Sequence, residues 1–235
     1  MICIHDQRLP EHMVEKLRLA GFFPVRTLDL PGLSSSISTH PDIQVCKISD
    51  QLIVVEPSTY DYYKNILQSY GIIVRPGRSI LQEPYPKDSA YNLAANESLA
   101  IHNFRFTDSQ ISQAVDDLGL EKISVNQGYG KCNILFTKTG LITSDQGIYK
   151  ALGPRKKLLI RPGFIDLEDY TYGFIGGASG FFKGKLYFLG DPSLHPDFPL
   201  IEKFLQEDQT SYSSLSSDPL RDYGTLIFLQ GGING

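Results

Sequence analysis

Tryptophan is absent from this 235-residue chain, and cysteine occurs only three times, as Cys3, Cys46 and Cys132. An odd set with no Cys-x-x-Cys spacing excludes a disulfide framework and suggests no structural zinc site. Long hydrophobic runs are missing too. No stretch approaches the roughly 18 consecutive apolar residues that a spanning helix needs, so no membrane partner is expected. Basic clusters are scarce: net charge is −4 and the densest run is Arg155-Lys156-Lys157, which argues against a nucleic-acid partner. The opening residues Met1-Ile2-Cys3-Ile4-His5-Asp6 lack the basic start and apolar stretch of a secretory signal, so a cytoplasmic location is expected.

What is present is core-forming material, 41% hydrophobic and 11% aromatic, and it repeats. From His40 the chain reads HPDIQVCKI, a Ser49-Asp50 turn, QLIVVEP, an amphipathic stretch closed by Gly71, then IIVRPG. Alternating apolar residues around a turn predict a β-hairpin, the next segment a helix, the last a short strand. The order returns from Tyr91, with Thr107 as the expected N-cap of its helix, from Lys131, and from Gly177. The ends complete each other: a strand near 223–230 and the strand-helix-strand pattern of 1–28 make a fifth unit.

The resulting units, 40–76, 91–125, 131–163, 177–208 and 223–235 joined to 1–28, average about 47 residues and belong to one domain, because a single unit cannot bury both faces. The expected fold class is α/β: a five-fold pseudo-symmetric α/β propeller of ββαβ units, closed by sharing its last unit between the termini. Closure removes exposed sheet edges. Two polar stretches, 31–39 and 209–218, read as loops outside the pattern, one of them a lid candidate.

This order of hairpin, helix and strand resembles the pentein fold, the superfamily of guanidino-group-modifying enzymes, and in particular its small bacterial members. Two motifs carry the resemblance. His40-Pro41-Asp42 is similar to the His-x-Asp that opens a family strand, and Gly128-Tyr129-Gly130-Lys131-Cys132 is similar to the glycine-rich segment that delivers the family's cysteine. The resemblance implies a cysteine-dependent hydrolase, deiminase or amidinotransferase acting on a C–N bond of a small guanidino or amidino substrate, without a cofactor. Cys132 would be the nucleophile, His40 the general acid/base and Asp42 the guanidinium anchor. Gly176–Gly180, where the resemblance places an acidic pair, offers no carboxylate. That lack supports the alternative of an inactive ligand- or protein-binding module.

The chemistry of the pair is independent of family. A thiolate is the reactive form of cysteine, and an imidazolium or converging N–H groups lower its pKa. Cys3 and Cys46, each flanked by apolar residues, read as core. Further substrate contacts are expected from Asn92 and Ser179, at the starts of units two and four, and from Asp145 and Asp191. Those aspartates share with Asp6, Glu56 and Asn103 the end of a second strand, where each could also cap the following turn. A second His-Pro-Asp, His195 to Asp197, precedes a helix, which makes Asp197 an expected N-cap. A metal site built from His195, Asp197 and Asp191 has no recognised ligand spacing, so no metal is expected.

Overall fold

The computed structural model describes residues 1–232; the last three residues of the fifth unit as read from sequence lie outside the described residues. In chain order the elements are β1 (Ile2–His5), α1 (Glu11–Leu19), β2 (Phe23–Arg26), α2 (Pro41–Gln44), β3 (Val45–Ser49), β4 (Leu52–Val55), α3 (Tyr60–Leu67) and β5 (Ile73–Pro76). Then come β6 (Ala94–Ala95), β7 (Leu99–His102), α4 (Ser109–Asp117), β8 (Glu121–Ser124), α5 (Gly130–Asn133), β9 (Ile134–Phe136), β10 (Leu141–Thr143), α6 (Gln146–Ala151) and β11 (Lys157–Leu159). The chain continues through β12 (Ser179–Phe182), β13 (Lys185–Phe188), α7 (Phe198–Glu207) and β14 (Ser211–Ser214) to β15 (Ile227–Leu229).

The strands form five three-stranded sheets. In each, the first strand runs antiparallel to the second and the third parallel to it, with a helix as the crossover, as in β3-β4-β5. The fifth sheet is β15-β1-β2, built from both ends of the chain.

Local sequence explains the elements. In α4, Ile111, Ala114 and Val115 fall on one face and are buried, while Asp108 caps the helix by accepting from the Gln110 N–H at 2.8 Å. Asp108 therefore takes the capping place expected of Thr107, whose hydroxyl is instead 2.6 Å from His102 Nδ1. Gly119, at φ +65°, ends the segment in a conformation that costs a side chain energy.

Packing joins consecutive sheets through five apolar clusters. Ile43, Cys46 and Val54 meet Leu93, Ala100 and Ile111; Ala94 and Ile101 meet Ile134 and Ile148; Leu135 and Ile142 meet Leu186 and Phe188. Phe182 and Tyr187 meet Cys3, Leu17 and Phe228, and Ile2, Ile4 and Ile227 meet Val45, Ile53 and Leu67. The last cluster links the fifth sheet back to the first. Each fully buried aliphatic side chain contributes about 1.5–3 kcal/mol, so these interfaces carry much of the stability. Cys3 and Cys46 belong to them, and burial pushes both thiols up.

Two expectations are corrected. Residues 209–218 are not wholly a loop, because Ser211–Ser214 pair in parallel with Lys185–Phe188 as the outer strand of the fourth sheet. That strand is largely solvent-facing, so its polar composition hides it from a hydrophobic pattern. The His40 and Cys132 motifs do not begin strands either. Each sits in a single helical turn, α2 or α5, immediately before one, and the fixed φ of Pro41 suits the first position of such a turn.

Candidate active site

The turns that precede the five first strands are tied by a relay of hydrogen bonds. The Asp42 N–H donates to Gly224 O at 3.1 Å, Asn92 Nδ2 to Asp42 O at 3.0 Å, and the Lys131 N–H to Asn92 O at 2.9 Å. The Gly177 N–H donates to Cys132 O at 3.0 Å and the Thr225 N–H to Gly177 O at 2.7 Å. Every step joins a unit to its predecessor, and the relay ends on the unit where it began.

Cys132, Asp42 and Asn92 meet within it. Cys132 Sγ donates to Asp42 Oδ2 at 3.0 Å and accepts from Asn92 Nδ2 at 3.1 Å. Asn92 Oδ1 accepts the N–H groups of Lys131 and Cys132 at 2.8 and 3.1 Å, which fixes both its amide orientation and the cysteine turn. That turn is braced from outside by His102, whose Nε2 lies 2.6 Å from Gly128 O.

His40 is not among the hydrogen-bond partners of the thiol. Its ring lies between two carboxylates, with Nδ1 3.9 Å from Asp222 Oδ1 and Nε2 3.8 Å from Asp6 Oδ2. Asp6 is held by Arg8 and by Thr39 Oγ1 at 2.9 Å. Asp222 accepts the N–H groups of Gly224 and Phe174, each at 2.9 Å. Two buried polar atoms here have no partner, His40 Nε2 and Asp42 Oδ1. Unpaired buried groups cost roughly 1–3 kcal/mol each, which a bound ligand could offset.

Asp222 and Lys131 are buried charged residues of this centre that sequence reasoning passed over. The carboxylate lacking in Gly176–Gly180 is present in the turn that enters the next unit, as Asp222, and Gly177 makes room for it while Gly176 makes room for the cysteine turn. A Cβ on Gly177 would lie 2.0 Å from Asp222 Oδ1, and one on Gly176 2.3 Å from Lys131 O. Lys131 Nζ donates to Thr225 Oγ1 at 2.8 Å, and Thr225 Oγ1 to Ser179 O at 2.7 Å. Ser179 thus touches the centre through its carbonyl; its own hydroxyl donates to Ile175 O.

Asp145 and Asp191 cap the turns that follow them, accepting from Ile148 N at 2.7 Å and Ser193 N at 2.9 Å. Asp6, Glu56 and Asn103 accept backbone N–H groups in the same way. Asp197 stands at the N-cap of α7, yet its carboxylate turns to Arg161, taking the backbone N–H at 2.6 Å and Nη2 at 2.7 Å.

Burial dominates the electrostatics. It raises Asp42 and Asp222 to about 6 each, with the Cys132 bond opposing the shift at Asp42 and His40 opposing it at Asp222. Burial, with both carboxylates adding, pushes the Cys132 thiol well up. Burial also lowers Lys131 and His40. Burial at this centre thus disfavours charge, and Asp42 Oδ2 is the atom that accepts the thiol hydrogen bond. Cys132 is 5% exposed and Asp42 1%. The 31–39 segment is tied down through Arg8, which also holds Asp6: Arg8 donates to Ser35 O and Ser36 O, and the Ser36 hydroxyl donates to Asp169 at 2.8 Å.

Among the described residues no helix is long and apolar enough to cross a membrane, and no group of three His, Cys, Asp or Glu side chains is arranged to hold a metal ion.

A family model described as "Family of unknown function (DUF6873)" matches residues 4–227. No curated protein matches the chain. Among solved structures, SxtG, an amidinotransferase from Microseira wollei in the saxitoxin biosynthetic pathway, aligns with a TM-score of 0.52 at 10% identity. The match covers 96% of this chain and 79% of that one. At that identity the likeness establishes a shared mixed α/β fold.

Proposed function

The chain belongs to the DUF6873 family, and from its site we propose that it is a pentein-fold thiol enzyme acting on a C–N bond of a small guanidino or amidino compound. The ring is read as closed, with five sheets as blades. The cluster joining Ile2 and Ile227 to Val45, together with the hydrogen-bond relay that returns to its first unit, supports closure.

The observation that carries the chemistry is the Cys132–Asp42 contact at 3.0 Å beside a second buried carboxylate. A planar guanidinium presents several N–H donors and suits paired carboxylates, and the free Asp42 Oδ1 is an acceptor awaiting one. A bound cation would also draw Asp42, Asp222 and the thiol down in pKa together, since it favours every anionic form near it. Sulfur then adds to the amidine carbon and its proton passes to Asp42. The C–N bond breaks as the leaving nitrogen takes a proton from the His40 imidazolium, which stands between Asp6 and Asp222. Water or an acceptor amine next attacks the sulfur-linked amidino carbon and gives its proton to the now neutral His40, and the C–S bond breaks as sulfur takes back the proton held by Asp42. Lys131 offsets negative charge as it develops. SxtG, the amidinotransferase of like fold, agrees with this class.

A second reading, an inactive binding module, draws on the buried thiol, which burial and the neighbouring carboxylates hold well above its ordinary pKa. Assaying arginine, agmatine and related guanidino compounds for ammonia, urea or amidine transfer, with Cys132→Ala alongside, separates the two. Turnover lost in the variant supports the enzyme; saturable binding without turnover in the parent supports the module.

A further inference from the structure

A second space lies along the five first strands. Val45, Ala95, Leu135, Phe182 and Phe228, one from each sheet or its edge, line a cavity of about 650 Å³, within the roughly 300–1,000 Å³ range of small-molecule sites. The thiol cluster occupies the turns that enter these strands. The cavity instead follows the strands to the hairpin turns at their far ends, Ser49-Asp50, Asn96-Glu97 and Lys183-Gly184, and shares only Lys131 with the cluster.

Its walls are apolar and its charged groups are mainly ammonium. Lys47 is neutralised by Asp50 at 2.6 Å. Among the described residues, Lys131, Lys138 and Lys183 have no carboxylate within ion-pair distance: Lys131 reaches Thr225 at 2.8 Å, Lys138 reaches Gln209 at 3.3 Å, and Lys183 lies over the Phe182 ring at 5.6 Å. Glu97 is the one other acid on the lining, so the balance is positive.

We propose that this cavity is a second binding site, for a small monocarboxylate with an aryl body. The phenyl walls remove the aryl group from water, and the lysines supply charge-assisted hydrogen bonds to the carboxylate. Lys138 and Lys183, which lie outside the thiol cluster, repel a guanidinium ion, and this separates the site from the one that the thiol serves. No bond is made or broken there.

Titration calorimetry of the full chain with 3-phenylpropionate tests it. One saturable site is expected, with 3-phenylpropan-1-ol weaker by about tenfold, the effect of losing one charge-assisted contact. The exposed lysines tolerate substitution, so K138E/K183E keeps its melting temperature and loses about tenfold in affinity. Ala95→Phe, which fills the wall, removes binding. Absence of saturable heat at millimolar ligand, equal affinity for the alcohol, or parental affinity in K138E/K183E would overturn the proposal.

Discussion

The same three residues occur twice in this chain and do opposite things. In His40-Pro41-Asp42 the aspartate is buried, bonded to a thiol, left with one oxygen unpaired and raised to about 6. In His195-Pro196-Asp197 the aspartate is paired with Arg161 and lowered by that guanidinium. His195 differs likewise, since its Nδ1 accepts the Asp197 N–H at 3.0 Å and so serves the local turn. Place in the unit decides the outcome. A tripeptide before the first strand enters the central relay, whereas one before the helix stays on the periphery and is used for capping and ion pairing.

The contrast can be broken at its most sensitive point first. Cys132→Ala should abolish turnover of any guanidino substrate, as removal of a nucleophile does, while Cys46→Ala should change stability alone. Comparing the aspartates comes next. Asp42→Asn should lower kcat/KM by roughly 10²–10⁴, the range for a lost proton acceptor, and Asp197→Asn should leave it near the parental value with a melting temperature reduced by a few degrees at most. Similar kinetic losses in both variants would remove the distinction.

Gly177→Ala probes the same centre without removing a charged group. Its Cβ would collide with Asp222 Oδ1, so the carboxylate must move, and a displacement near 1 Å costs about 100-fold in rate. A crystal structure of the variant should show Asp222 shifted while the outer helices stay in place.

The smallest effect is in pH-dependent stability, where the two aspartates carry opposite signs. Asp42 has a folded pKa of about 6 against an ordinary value of 3.8. Its stabilising contribution is therefore full below the unfolded value and is lost as pH rises through about 6. Asp197 is lowered, so its contribution is full above the unfolded value and is lost as pH falls below it. Chemical denaturation from pH 3 to pH 7 should show Asp42→Asn flattening the decline near pH 4–6, and Asp197→Asn removing part of the gain at the acid end.

Much of the repeat was legible because hairpins and amphipathic helices repeat their patterns wherever the core requires it. Units one to four and the union of the two ends can be read from alternation and turn residues. β14 cannot, since an outer strand facing water needs no apolar alternation. The meeting of Cys132, Asp42 and Asn92 follows from their shared place before the first strands. Asp222 was missed for a physical reason: the fifth unit is split, and its entering turn, Asp222-Tyr223-Gly224, lies far in sequence from the helix that completes it. Applying the repeat to that turn, as to His40-Pro41-Asp42, would have marked its aspartate. The apposition of Asp222 and Gly177 depends on the space left by a missing side chain, which no spacing rule reports.

The most direct test of the central claim, that Cys132 is a nucleophile served by buried carboxylates, is cation-selective alkylation. Chloroacetamidine carries an amidinium that resembles the proposed substrate group, whereas chloroacetamide is its neutral counterpart. Mass-spectrometric mapping should find Cys132 alkylated faster by the cation than by the amide, Cys3 and Cys46 untouched, and the preference lost in Asp42→Asn. A Cys132 that ignores the cation, or reacts with both reagents alike in the parent and in Asp42→Asn, would contradict it.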